Sequence, residues 1–139
     1  MVTLGLECGI DAEVIDRKNN LMKIAERMFA RSELDFLSNL KDSDYRNAFF
    51  KFWTLRESYV KALGTGLAGS SKDFHFCMND NEISIDSKNT TSDLSTDNER
   101  WQFILLEPTA NHIAAVAVNN ATQDKLPVVI KKDCAVNIF

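Results

Sequence analysis

The stretch SDYRNAFFKFWTLRESYVKAL, residues 43–63, decides how this chain folds. Tyr45, Ala48, Phe49, Phe52, Trp53, Val60 and Leu63 make a broad apolar face at helical spacing, uninterrupted by Gly or Pro, so a long helix is expected. Gly64-Thr65-Gly66 ends it, because glycine accepts the left-handed conformation of a helix C-cap, and Ser70-Ser71 prolongs the break. So apolar a helix must be covered by its flanks. Upstream, residues 2–10 read as a strand that delivers Asp11 and Glu13 at its end. Leu21, Ile24, Ala25, Met28 and Phe29 then predict a helix over residues 20–29, and Ser32 with Glu33 through Leu40 a capped second one. Downstream the period changes to two. Residues 74–78, 83–86, 101–107 and 112–118 are short apolar or alternating runs separated by Asn, Asp, Ser, Thr and Pro, the pattern of antiparallel strands. Residues 87–98 read as a polar hairpin loop, and the tail from Leu126 as an edge strand or a loose end. The expected fold is α+β, a long helix packed on a small antiparallel sheet, in a single domain over residues 1–139.

Composition narrows the function. Of 139 residues, 45% are apolar and 26% charged, with five Gly and two Pro, a balance that can bury a core and excludes disordered or collagen-like chains. No apolar run approaches the ~20 residues of a membrane span, and residues 1–9 lack the basic start and apolar stretch of a signal peptide, so a soluble, cytoplasmic protein is expected. A net charge of −4 argues against non-specific nucleic-acid binding, which needs a basic excess. Residues 1–70 hold ten basic and ten acidic side chains and residues 71–139 six and ten, so the deficit lies in the second half and the first has room for a local basic patch. Cys8, Cys77 and Cys134 are odd in number and in no C-x-x-C spacing, which predicts reduced, packed thiols rather than a disulfide framework or zinc site.

Chemistry concentrates at two places. Asp11 and Glu13 are two apart on a predicted strand, so both carboxylates point to one face. Such a pair is either a solvated strand end or the beginning of a site for a hard cation such as Mg²⁺, which takes carboxylate oxygens, water and substrate phosphate. Glu57 and Lys61 are i and i+4 on the long helix and share a face, either as an ordinary surface pair or as part of a site. Arg56 precedes them, and a glycine-rich loop follows.

Gly9-Ile10-Asp11-Ala12-Glu13, followed by Trp53-Thr54-Leu55-Arg56-Glu57-Ser58-Tyr59-Val60-Lys61, resembles the two signature motifs of the 4′-phosphopantetheinyl transferases, most closely those of the Sfp type. The family motifs read G-[IV]-D-x-E and [FW]-[STC]-x-K-E-[AS]-x-x-K, and both occur here in order. The similarity spans residues 6–76, with a weaker echo over residues 101–118. Such enzymes move the phosphopantetheine arm of coenzyme A onto a serine hydroxyl of a carrier protein and release adenosine 3′,5′-bisphosphate. The resemblance implies Asp11 and Glu57 as Mg²⁺ ligands and Glu13 as a third ligand or the holder of a metal-bound water. Glu57 or Glu13 is then the general base for the serine proton. Lys61 is expected at the coenzyme A phosphates, and Arg56, which replaces the family's usual lysine, is expected there too. Arg17, Lys23 and Arg27 fall near positions where related holo-carrier-protein synthases meet the acidic carrier. His75 and His112 lack partner spacing and read as strand residues, and Phe49, Phe52 and Trp53 as core.

Sfp-type enzymes are pseudodimers of two similar lobes, and this chain matches the second lobe only. The resemblance therefore implies either a fragment or inactive remnant that lacks its partner lobe, or a short enzyme that rebuilds the cleft by self-association, as single-lobe synthases do. The latter is the favoured expectation. Two rivals stand beside it: a non-catalytic α+β binding or dimerisation domain, and another Mg²⁺-dependent phosphotransferase. The second rival would need a phosphate-binding loop, and no G-x-x-x-x-G-K-[ST] occurs in the sequence.

Overall fold

The structure, a computed structural model, describes residues 5–16, 20–64, 72–80, 82–87 and 100–120. The expected polar loop from residue 88 onward, the tail from Leu126, Arg17 and Cys134 lie outside these residues. In chain order the elements are β1 (Cys8–Val14), α1 (Leu21–Met28), α2 (Arg31–Ser38), α3 (Asp42–Leu63), β2 (Phe74–Asn79), β3 (Glu82–Ser87), β4 (Trp101–Thr109) and β5 (His112–Asn119). β1, β5 and β4 form an antiparallel sheet with β5 in the middle, and β2 pairs with β3 as a separate antiparallel hairpin. The α+β architecture expected from the sequence is the observed one.

Helix α3 is the spine. It ends at Gly64, whose φ of +68° is the left-handed cap that glycine adopts without steric cost. Its middle is buried on more than one side: Phe52, Thr54, Leu55, Arg56 and Ser58 have almost no solvent exposure, although the apolar spacing marks only one face. The reason is position, because α3 lies against β1 and β5 on one flank and against α1 and α2 on another. The two buried hydroxyls are satisfied within the helix, Thr54 Oγ1 donating to Phe50 O and Ser58 Oγ to Leu55 O, both at 2.8 Å. Expected apolar positions at the C-terminal end fare differently, with Val60 half-buried and Leu63 exposed.

The sheet meets α3 through small residues. Ala115 and Ala117 of β5 are fully buried against it, and in β1 a Cβ on Gly9 would stand 2.0 Å from Ser58 O and 2.6 Å from Ala62 N. Only a residue without a side chain permits that approach. Phe29, Phe49, Phe50, Phe52, Leu55, Phe76 and Phe103 fill the core, and Tyr59 sits among Phe74, Phe76, Trp101 and Phe103 at centroid distances of 4.9–6.4 Å.

Three local expectations are corrected. β1 runs on to Val14, so Asp11 and Glu13 lie inside the strand, paired with Ala115 and Ile113 of β5, and not at its end. Helix α2 begins at Arg31 with Ala30 as its N-cap, so Ser32 lies in the first turn and does not cap it. Cys77 is exposed rather than packed, because its side chain alternates to the outer side of β2.

Candidate active site

Burial in β1 alternates as the period of two requires: Gly9 and Asp11 are buried and Glu13 is half-buried on the α3 side, whereas Ile10, Ala12 and Val14 are exposed. Two residues of a strand advance about 6.6 Å, and four residues of a helix advance about 6 Å. Residues 9, 11 and 13 of β1 therefore keep step with residues 61, 57 and 53 of α3 as the two elements run past each other. The contacts follow this ladder. Lys61 Cβ is 3.1 Å from where a Gly9 Cβ would sit, Asp11 is close enough to Glu57 to act on its charge, and Trp53 Nε1 donates to Glu13 Oε1 at 3.1 Å. The spacing of the two motifs is thus the pitch match of a strand against a helix.

At the centre of the ladder Lys61 Nζ donates to Asp11 Oδ1 at 2.7 Å. The second Asp11 oxygen, Oδ2, is buried with no hydrogen-bond partner, and so is Glu57 Oε1. Unsatisfied buried carboxylate oxygens cost free energy unless something binds them. Burial pushes the Glu57 carboxyl above its ordinary range, and the Asp11 and Glu13 carboxylates push it further, against the pull of Lys61 and Arg56. The hydrogen bond to Asp11 leads the causes that raise Lys61. Two neighbouring carboxylates with free inward oxygens suit a hard cation that keeps water and substrate oxygens in its remaining positions. Among the described residues no group of three acidic, histidine or cysteine side chains converges on one cation position. Glu13, expected as a third ligand, instead has an oxygen engaged by the Trp53 indole.

Arg56 is the main correction. Expected at a phosphate, its side chain has no exposed area; it pairs with Glu33, Nη2 to Oε2 at 2.5 Å, and lies 5.4 Å from the Phe29 ring centroid and 4.5 Å from that of Phe74. Enclosed on these sides, the guanidinium presents no exposed area to a ligand phosphate in this structure. Its partner Glu33 is equally buried and accepts from Ala30 N and Phe76 N, both at 2.9 Å. Glu33 was legible only as a residue of the second helix; its spacing of three from Ala30, at the helix start, is the one signal that marks it as a capping carboxylate.

Elsewhere the expectations separate. Lys23 and Arg27 are exposed, one turn apart on α1. His75 Nε2 is 4.0 Å from Asp86 Oδ2 in the hairpin, and His112 Nδ1 is 2.7 Å from Thr109 Oγ1 at the β4–β5 turn; both are strand residues as expected. Phe49 and Phe52 are core, but Trp53 is half-buried with its indole N–H at the site, a role its aromatic character concealed. No helix among the described residues is long and apolar enough to cross a membrane.

Residues 7–117 match the family described as the 4′-phosphopantetheinyl transferase superfamily. The chain is 32% identical over 112 residues to the 4′-phosphopantetheinyl transferase HetI of Nostoc sp., covering 81% of this chain and 43% of that protein. It is 33% identical over 81 residues to the 4′-phosphopantetheinyl transferase gsp of Aneurinibacillus migulanus, covering 58% of this chain and 33% of that one. The chain thus spans less than half the length of these relatives. Among solved structures, the holo-[acyl-carrier-protein] synthase of Neisseria meningitidis superposes with a TM-score of 0.66 at 20% identity, covering 82% of this chain and 97% of that one. The holo-(acyl-carrier-protein) synthase of Bacillus anthracis, solved in complex with CoA (3′,5′-ADP), gives 0.60 at 20% identity, covering 84% and 98%. These two likenesses establish a shared fold.

Proposed function

Because the chain belongs to the 4′-phosphopantetheinyl transferase superfamily, we propose that it transfers the 4′-phosphopantetheine group of coenzyme A to a serine hydroxyl of an acyl or peptidyl carrier protein, with Mg²⁺ as cofactor. The observation that carries this reading is the pair of buried, unpartnered oxygens, Asp11 Oδ2 and Glu57 Oε1, beside the Lys61 ammonium. Asp11 and Glu57 would hold the cation, which when bound would neutralise charge on the pyrophosphate. Lys61, half-exposed on a flexible stem, would bind the co-substrate's phosphates and orient them. Glu57, directly or through a water, would accept the serine proton. Glu13, fixed by Trp53, would position water or the incoming hydroxyl.

Lys23 and Arg27 offer a basic face on α1 that would steer an acidic carrier. A partner lobe completes the reading, most simply a second copy of this chain. Supporting it are the exposed Ile10 and Val14 on β1, an edge strand among those described, and the superposition that covers 97–98% of the two synthase chains. The test is incubation with coenzyme A, Mg²⁺ and an apo acyl carrier protein, read by intact-mass spectrometry. A gain of one phosphopantetheine that disappears on chelation is expected; no gain contradicts the reading.

A further inference from the structure

We propose that Lys61 is the resident counter-ion of the carboxylate pair, seated on the Asp11 oxygen that a divalent cation needs, and that the phosphates of coenzyme A draw it off, so that cation and co-substrate load cooperatively. This rests on the function proposed above and adds an order to it. Lys61 Nζ is 2.7 Å from Asp11 Oδ1, yet the two side chains differ in freedom, 51% exposed for Lys61 against 9% for Asp11. Asp11 is held mid-strand between β5 and α3, so the partner able to leave is the lysine, whose four-carbon stem reaches solvent.

While Lys61 remains on Asp11, it occupies Oδ1, and the buried oxygens of the pair without a partner are Asp11 Oδ2 and Glu57 Oε1. A second positive charge placed on them meets a like charge in a partly desolvated site, which weakens binding. A phosphate arriving at the mouth of the site gives the ammonium a charge-assisted partner of comparable strength. Lys61 then moves from carboxylate to phosphate and vacates Asp11 Oδ1. Linkage makes the effect reciprocal: whatever coenzyme A does for cation affinity, the cation does for coenzyme A affinity.

The test is calorimetric titration of Mn²⁺ into the full chain and its Lys61→Met variant, with and without coenzyme A, in dilute buffer and in 1 M KCl. Without coenzyme A, Lys61→Met is expected to bind Mn²⁺ about fivefold tighter or more, the lower end of ordinary coupling between sites. The gain should persist in 1 M KCl, where screening confines charge effects to about 3 Å and only direct competition for the oxygen survives. Coenzyme A should raise the Mn²⁺ affinity of the wild type more than that of the variant. Equal or weaker Mn²⁺ binding by Lys61→Met, or a gain that vanishes in high salt, overturns the proposal while leaving the transferase reading intact. Absence of Mn²⁺ binding in both proteins overturns the cation site itself. Lys61→Gln, of similar length and still polar, provides a second variant with the same expectations.

Discussion

Arg56 and Glu33, 23 positions apart in sequence, form an ion pair with no solvent-exposed side-chain area, and through it α3, α2 and the start of β2 are tied together. Breaking such a pair leaves an uncompensated buried charge, at a cost of about 3–5 kcal/mol. Arg56→Met should therefore lower the urea midpoint sharply, and the double change Glu33→Gln with Arg56→Met, which removes the orphaned charge and keeps an acceptor for a backbone N–H, should restore part of the loss. Coenzyme A affinity per folded molecule should be unchanged in Arg56→Met. A selective loss of affinity in a well-folded variant would return Arg56 to the phosphate site.

Gly9 sets the distance between β1 and α3. A methyl group there would collide with the backbone at Ser58 and Ala62, neither of which can rotate away. Gly9→Ala should cost about 1–3 kcal/mol, as overpacking in a filled core does. Because α3 must shift relative to Asp11, Mn²⁺ affinity should fall as well. Thermal unfolding and cation titration of one sample check both effects.

Glu57 is held in a state that opposes stability at neutral pH. Burial, followed by the Asp11 and Glu13 charges, raises its folded pKa above the ordinary value of 4.5. The folded form binds this proton more tightly than the unfolded chain does, so the stabilising contribution is complete below that ordinary value and is lost as pH rises through the raised one. Glu57→Gln stays neutral throughout. It should abolish transfer yet unfold at a higher temperature than wild type at pH 7, with the difference shrinking as pH falls below the ordinary carboxylate range. A lower melting temperature at pH 7 would contradict the electrostatic account.

Much of this fold is legible in the sequence because the strongest signals are local. The run from Tyr45 to Leu63 declares a helix, Gly64 its end, and the change of period after Phe74 the strands. The ladder of Gly9, Asp11 and Glu13 against Trp53, Glu57 and Lys61 was legible from motif resemblance, and the pitch match explains why those spacings work. What escaped is the charge buried along α3. The apolar stripe that periodicity marks packs through Phe49 and Phe52 on Phe29 and Phe36, and Arg56, four positions after Phe52, continues that stripe as a buried charge whose partner Glu33 is remote in sequence. Arg56 therefore read as a phosphate ligand beside Glu57, although the next helix position points about 100° away, into a pocket made by residues 29, 33 and 74.

Lys61 should matter chiefly for coenzyme A. Lys61→Ala removes the ammonium expected at the phosphates, so calorimetry should show coenzyme A binding weakened by roughly tenfold or more, as loss of a charge-assisted contact of about 1.5–3 kcal/mol implies. Unchanged affinity would remove Lys61 from the phosphate site.

The central claim is that Asp11 and Glu57, rather than Arg56, form the reacting centre. The most direct measurement is phosphopantetheine transfer to an apo carrier protein by wild type, Glu57→Gln and Arg56→Met, scored by intact mass per folded molecule. We predict that Glu57→Gln transfers nothing while Arg56→Met retains transfer in proportion to its folded fraction. Turnover like that of the wild type in Glu57→Gln would contradict the account.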